Sequence, residues 1–167
     1  MTSSHSHGVL SPLFRAAQQK PSFATLWKLL ADCCCSLHTL PPEICRLSVP
    51  SMLLGSGNSS DDVTTLDKQQ VLALASRCYG MALKADNQSA SLWHDLGVAY
   101  MRHQSVIDSS KNKMAAAEKQ VLTRKAFQCV ERAVQLDGEN AMYWNTLGLV
   151  ALTDGEYTLC IRKLWDS

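Results

Sequence analysis

The sequence predicts an all-α fold, a solenoid of helix–turn–helix repeats. Three observations predict it. First, residues 125–157 read as a helix, a turn, a second helix, a turn and the start of a third. Ala126, Val130, Ala133 and Val134 share one face of the first of these helices. Second, Asp137-Gly138 and Asp154-Gly155 punctuate the stretch. Glycine is the cheapest residue for the left-handed turn beyond a helix end. Third, Trp144, Leu147, Gly148 and Ala151 share a face, and Trp93, Leu96, Gly97 and Tyr100 repeat that spacing.

The pattern W-x2-L-G-x2-Y opens the 34-residue tetratricopeptide repeat. Trp93-His94-Asp95-Leu96-Gly97-Val98-Ala99-Tyr100 resembles it throughout. Trp144-Asn145-Thr146-Leu147-Gly148 resembles its first half, with Ala151 in place of the tyrosine. Each position has a packing reason. The glycine lets the paired helix approach closely, and the Trp, Leu and Tyr fill the gap between helices. A small residue late in the second helix, here Ala133, lets repeats stack.

The chain has 167 residues, 46% of them hydrophobic, enough for a core. Its formal net charge of +1 speaks against a dedicated nucleic-acid binder and against strong attraction to anionic membranes. No apolar run is long enough to span a bilayer. The N-terminus lacks the basic and apolar regions of a secretory signal. The seven cysteines then read as reduced thiols, which favours the cytoplasm, with the nucleus as the alternative.

Residues 1–12 are rich in Ser, His and Gly and read as a disordered tail. His5 and His7 have no further ligands nearby, so no metal site is expected there. Residues 13–21 read as the end of a preceding repeat. Counting back from Trp27 puts Pro21 at the repeat's terminal proline and Ala16 at its small-residue position. Ser22 is the expected N-cap of the next helix.

Residues 22–89 form a degenerate repeat. Trp27, Leu30, Ala31 and Cys34 take its Trp, Leu, Gly and Tyr positions. Adjacent Cys33, Cys34 and Cys35 point about 100° apart on a helix and cannot converge on one ligand. They read as small buried hydrophobes. Residues 38–63, with Pro41-Pro42 and Pro50, break all periodicity and read as an inserted loop. Trp27 and Trp93 are 66 residues apart, 32 more than one repeat. Residues 66–86 are the partner helix, with Ala75, Tyr79 and Ala82 at its packing positions and Thr64 or Thr65 as cap.

Residues 90–140 form the next repeat, with an insertion over about 104–120. Trp93 and Trp144 are 51 apart, 17 more than one repeat. Residues 104–112 read as loop, and 113–136 as one helix of roughly 36 Å. Ala126 and Ala133 are packing positions of that helix. Lys111, Lys113, Lys119, Arg124 and Lys125, against only Glu118, make the most basic short window, and Lys113, Lys119, Arg124 and Lys125 are its candidate contact face. A solvated face is the default for such charge runs. Residues 141–167 read as a truncated repeat, with Tyr157, Cys160 and Leu164 opening its second helix. No polar capping helix follows, so the chain reads as a piece of a longer array.

Several segments together resemble one family. They are Leu26-Trp27-Lys28-Leu29, Arg77-Cys78-Tyr79-Gly80-Met81-Ala82-Leu83-Lys84, Trp93-His94-Asp95-Leu96-Gly97, Ala133-Val134-Gln135-Leu136-Asp137 and Tyr143-Trp144-Asn145-Thr146-Leu147-Gly148. The family is the large tetratricopeptide scaffold subunit of the superkiller (Ski) complex, and the resemblance covers about residues 13–155. It implies a cytoplasmic, non-catalytic scaffold in 3′-to-5′ mRNA decay. The implied partners are a DExH-type RNA helicase and WD-repeat propeller subunits, with the RNA exosome engaged indirectly. It implies no catalytic residues, no cofactor and no metal. Direct RNA contact is not expected, its one supporting feature being the basic window.

Other functions fit less well. A co-chaperone adaptor binds a peptide carboxylate through Lys and Asn at the fifth and ninth positions of a first helix. Those positions hold Lys28 and Asp32, His94 and Val98, Asn145 and Leu149. Asp32 would repel a carboxylate. An enzyme would need a glycine-rich phosphate loop, paired acids or a catalytic cysteine motif, and the sequence has none.

Overall fold

The computed structural model describes residues 5–41, 47–50, 63–110 and 112–153. Among them are six helices and one two-stranded ribbon. The chain divides into two compact units, Met1–Asp86 and Asn87–Ser167.

In the first unit, α1 (His5–Gln19) packs on α2 (Ala24–Leu37), and α2 packs along α3 (Lys68–Ala85). The helix α1 is described from His5, so the expected disordered tail of residues 1–12 is corrected from residue 5 on, and residues 1–4 lie outside the described residues. Val9, Leu10, Leu13, Phe14 and Ala17 keep a helical spacing through the Ser- and His-rich composition. Phe14 and Ala17 are buried. Ser22 does not cap α2; Phe23 stands at that position without a side-chain bond. In α2 the buried residues are Trp27, Leu30, Ala31, Cys34 and Cys35, one apolar face.

The inserted segment is more than loop. Strands β1 (Leu47–Pro50) and β2 (Val63–Leu66) pair antiparallel, with Leu47 opposite Leu66 and Pro50 opposite Val63. Val49 and Leu66 are buried, and β1 also touches α1. The ribbon runs directly into α3. Asp67, not Thr64 or Thr65, caps that helix in a reciprocal box. Its carboxylate accepts from Gln70 N at 2.8 Å while Gln70 Oε1 accepts from Asp67 N at 2.9 Å.

The second unit holds α4 (Ala90–Val106), α5 (Lys113–Leu136) and α6 (Ala141–Thr153). Ser89 caps α4 through Leu92 N, and Asn112 caps α5 through Ala115 N at 2.7 Å. The first of these helices runs past the expected loop start at Gln104, to Val106. The second insertion is therefore chiefly a helical extension, the first turns of α5. Ala126, Phe127, Val130, Ala133 and Val134 of α5 meet Tyr143, Leu147, Val150 and Ala151 of α6 in one buried core. Trp93, Tyr100 and Met101 of α4 and Trp144 of α6 pack against it. The residues after Thr153, Tyr157 among them, lie outside the described residues.

Candidate functional site

The helix pairs are built on one recurring bond. Trp27 Nε1 donates to Pro21 O at 3.1 Å, Trp93 Nε1 to Asn87 O at 2.9 Å and Trp144 Nε1 to Gly138 O at 2.7 Å. Each indole reaches back six residues to the turn before its own helix. The turns share a second bond. The N–H groups of Lys20, Asp86 and Asp137 donate to the carbonyls of Ala16, Ala82 and Ala133. Tryptophan supplies both an apolar body for the core and a donor for a turn carbonyl that the helix cannot satisfy. Trp93→Phe removes the donor, whose bond is solvent-exposed, together with part of the indole that packs on the core, and is expected to cost about 1–3 kcal/mol in urea unfolding.

The glycine positions differ. A Cβ at Gly97 would stand 2.5 Å from Val130 Cγ2 and 3.2 Å from Ala126 O, so glycine is what lets α4 lie against α5. At Gly148 a Cβ would meet nothing within 4 Å among the described residues. Ala82, Ala126 and Ala133 are fully buried, as the close approach of helix pairs requires. Leu30, Tyr79, Leu96 and Leu147 are buried too, and Tyr100 is half-buried.

Two polar clusters tie helices together. In the first unit Asp32 of α2 accepts from Lys28 Nζ at 3.0 Å and from Tyr79 OH of α3 at 2.6 Å. The lysine and the acid at the peptide-carboxylate positions thus bind each other. In the second unit His94 Nε2 lies 3.0 Å from Thr146 Oγ1, and its ring packs on Tyr143 with centroids 4.9 Å apart. Thr146 already donates its hydroxyl proton to Met142 O, so His94 Nε2 carries the proton and donates. Sequence reasoning missed this pair. The repeat register held a signal, because His94 aligns with Asn145, the neighbour of Thr146.

His103, Gln104 and Thr123 form a buried polar patch where α4 ends against α5, with Thr123 Oγ1 donating to Gln104 Oε1 at 3.1 Å. His103 is only 7% exposed, and among the described residues its Nε2 has no hydrogen-bond partner. Burial holds its pKa below the ordinary 6.5; Glu118 pulls it up and Lys125 pushes it down. The unfolded chain therefore binds this proton more readily than the fold does. Stability from His103 is complete above pH 6.5 and lost as pH falls below it. Melting at pH 7.5 and 5.5 is expected to show a smaller acid-induced drop for His103→Gln than for the parent.

Burial pushes the Cys78 and Cys129 thiols up to about 12, so both stay protonated and unreactive near neutral pH. Among the described residues no group of three His, Cys, Asp or Glu is placed to hold a metal ion. Among them, too, no helix is long and apolar enough to cross a membrane.

From Lys113 on, the basic window lies on α5, but not on one face, and Lys111 lies outside the described residues. At 100° per residue Lys113 and Arg124 align, while Lys119 and Lys125 stand about 120° apart. Lys125 Nζ sits 5.7 Å from the centroid of the Tyr100 ring.

The arrangement is one of packed helix hairpins with exposed outer faces, suited to contact with other macromolecules. No family model matches the chain. It is 36% identical over 141 residues to "Superkiller complex protein 3" of Mus musculus, covering 84% of this chain. The Homo sapiens protein of that name gives the same identity and coverage. "Tetratricopeptide repeat protein 37" of Xenopus laevis is 36% identical over 146 residues, 86% of this chain. The match spans about 9% of the length of each of these relatives. The chain is thus an all-α protein of the tetratricopeptide-repeat solenoid class, with a short β-ribbon added, and it resembles one segment of the superkiller complex subunit.

Proposed function

We propose that the chain is a non-catalytic interaction module that acts as part of a superkiller-type scaffold. Its partners on this reading are the RNA helicase and WD-repeat subunits of that complex, and its setting is cytoplasmic 3′-to-5′ mRNA decay with the RNA exosome. The observation that carries the reading is the 36% identity sustained over 84% of the chain to a protein named for the complex. Helix hairpins of this kind offer extended surfaces for protein partners. The Lys28–Asp32 pairing speaks against the peptide-carboxylate adaptor alternative, because the cation such an adaptor needs is already engaged.

A chimera tests this. The matched segment of a full-length superkiller subunit is replaced by this chain, and the tagged chimera is purified from cells. Recovery of helicase and propeller subunits at the parent's level is expected. A chimera that is folded and abundant but recovers neither would overturn the reading.

A further inference from the structure

We propose that the first turns of α5 form a docking surface for an acidic amphipathic helix of a protein partner. This proposal stands apart from the superkiller reading. Its basis is the outer face of α5, opposite the Ala126, Val130 and Thr123 side that meets α4, a face that the register of the two helices carries past the end of α4. Gly97 lies against Val130, and Thr123 bonds to Gln104. Both pairings set Val106, the end of α4, level with residue 121. Residues 113–120 thus extend about 12 Å beyond the helix they pair with.

This extension is capped by Asn112 and remains helical, yet little covers it. Met114 is 82% exposed and Val121 50%. Ala117 between them is exposed too. Single exposed apolar residues are ordinary. Here the arrangement is what counts. Going around the helix, the order is Lys113, Arg124, Ala117, Val121, Met114, Lys125, within about 120° of arc. An apolar stripe runs down the middle, with cations on both margins. Lys125 is held at its margin by the Tyr100 ring. Glu118, next to Lys125, is the one carboxylate of residues 113–125, which carry four cations in a chain whose net charge is +1. Lys119 projects from the other side and takes no part.

The charge pattern selects the occupant. Nucleic-acid phosphates need cations and gain nothing from a methionine, alanine and valine stripe. A helix with apolar residues at i, i+3, i+4 and i+7 and carboxylates on its flanks satisfies both features. Methionine adapts its shape to such a partner, and the alanine permits close approach.

The test uses the full chain and three probes followed by fluorescence anisotropy. The first is a designed helical peptide of roughly 20 residues with a leucine stripe flanked by glutamates. The second carries lysines for the glutamates, and the third is a uridine RNA of roughly 20 nucleotides. Saturable binding of the acidic peptide is expected, weakened at least about tenfold in the lysine version. The double variants Met114→Gln with Val121→Gln, and Lys113→Glu with Lys125→Glu, are each expected to weaken it about tenfold or more. Lys119→Glu is expected to change it by no more than about twofold. All these positions are exposed or half-exposed, and circular dichroism checks that the variants stay folded. Absence of saturable binding, or equal losses in Lys119→Glu, would overturn the proposal. So would RNA binding that outcompetes the peptide and survives Met114→Gln with Val121→Gln. Self-association of the chain that this double variant abolishes would assign the face to a second copy and overturn it as well.

Discussion

Gly97→Ala is expected to destabilise the second unit by about 1–3 kcal/mol, the usual cost of overpacking a well-filled core. The sign is the informative part. Glycine to alanine inside a helix normally gains up to about 1 kcal/mol. At Gly97 the new methyl would sit 2.5 Å from Val130 Cγ2 and 3.2 Å from the Ala126 carbonyl. Val130 is fully buried and β-branched, so it cannot swing aside cheaply. Ala126 O is backbone and cannot yield without moving α5. At Gly80, mid-helix in α3, a Cβ meets nothing within 4 Å among the described residues, and Gly80→Ala is expected to stabilise by about 0.5–1 kcal/mol. Urea midpoints of the two variants should move in opposite directions. Val130→Ala in the Gly97→Ala background should recover part of the loss, with a coupling of about 0.5–3 kcal/mol. Equal shifts of one sign at Gly97 and Gly80 would show that close helix approach is not what Gly97 provides.

Leu147→Ala is expected to cost about 2–5 kcal/mol, the range for a large-to-small change in a filled core. Leu147 is fully buried among Ala126, Val130, Ala133 and Val150. Its helix also carries Leu149, which is 52% exposed. Leu149→Ala should therefore stay within about 0.5 kcal/mol of the parent. The two leucines are two residues apart, so intrinsic helix propensity cannot separate them. Only the core can. Chemical denaturation of both variants reads the difference directly, and similar losses at the two sites would mean that α6 does not pack on α5 as described.

The repeat elements were legible because their signals are local. The spacing of Trp93, Leu96, Gly97 and Tyr100 marks α4, and glycine after Asp137 and the apolar period before it mark the end of α5. The bounds of α6, Ala141–Thr153, follow from the same signals. The Trp-to-turn bond was not read from the motif, although it recurs in one register at Trp27, Trp93 and Trp144. Spacing reports that a large residue is needed, not that its N–H is used. The ribbon was missed for a different reason. Leu47 and Leu66 are distant in sequence, and four-residue strands carry too short an alternation to stand out beside prolines. Asp67 as the cap of α3 was misplaced with it, because the threonines expected there belong to β2. The early start of α1 was hidden by composition, since Ser and His at its first turns read as tail. Spread around α5, the basic window is less of a unit than its sequence density implies, and only burial reveals the Met114–Val121 stripe beside it.

The function proposed above has this chain act through protein contacts within a superkiller-type assembly, without an RNA bridge. A tagged pull-down of the 167-residue chain from nuclease-treated cytoplasmic extract, with bound proteins quantified, tests it most directly. Joint enrichment of the RNA helicase and the WD-repeat subunit is expected, unchanged by nuclease treatment. Recovery that vanishes with the RNA, or capture of chaperones alone by a chain shown to be folded, would contradict it.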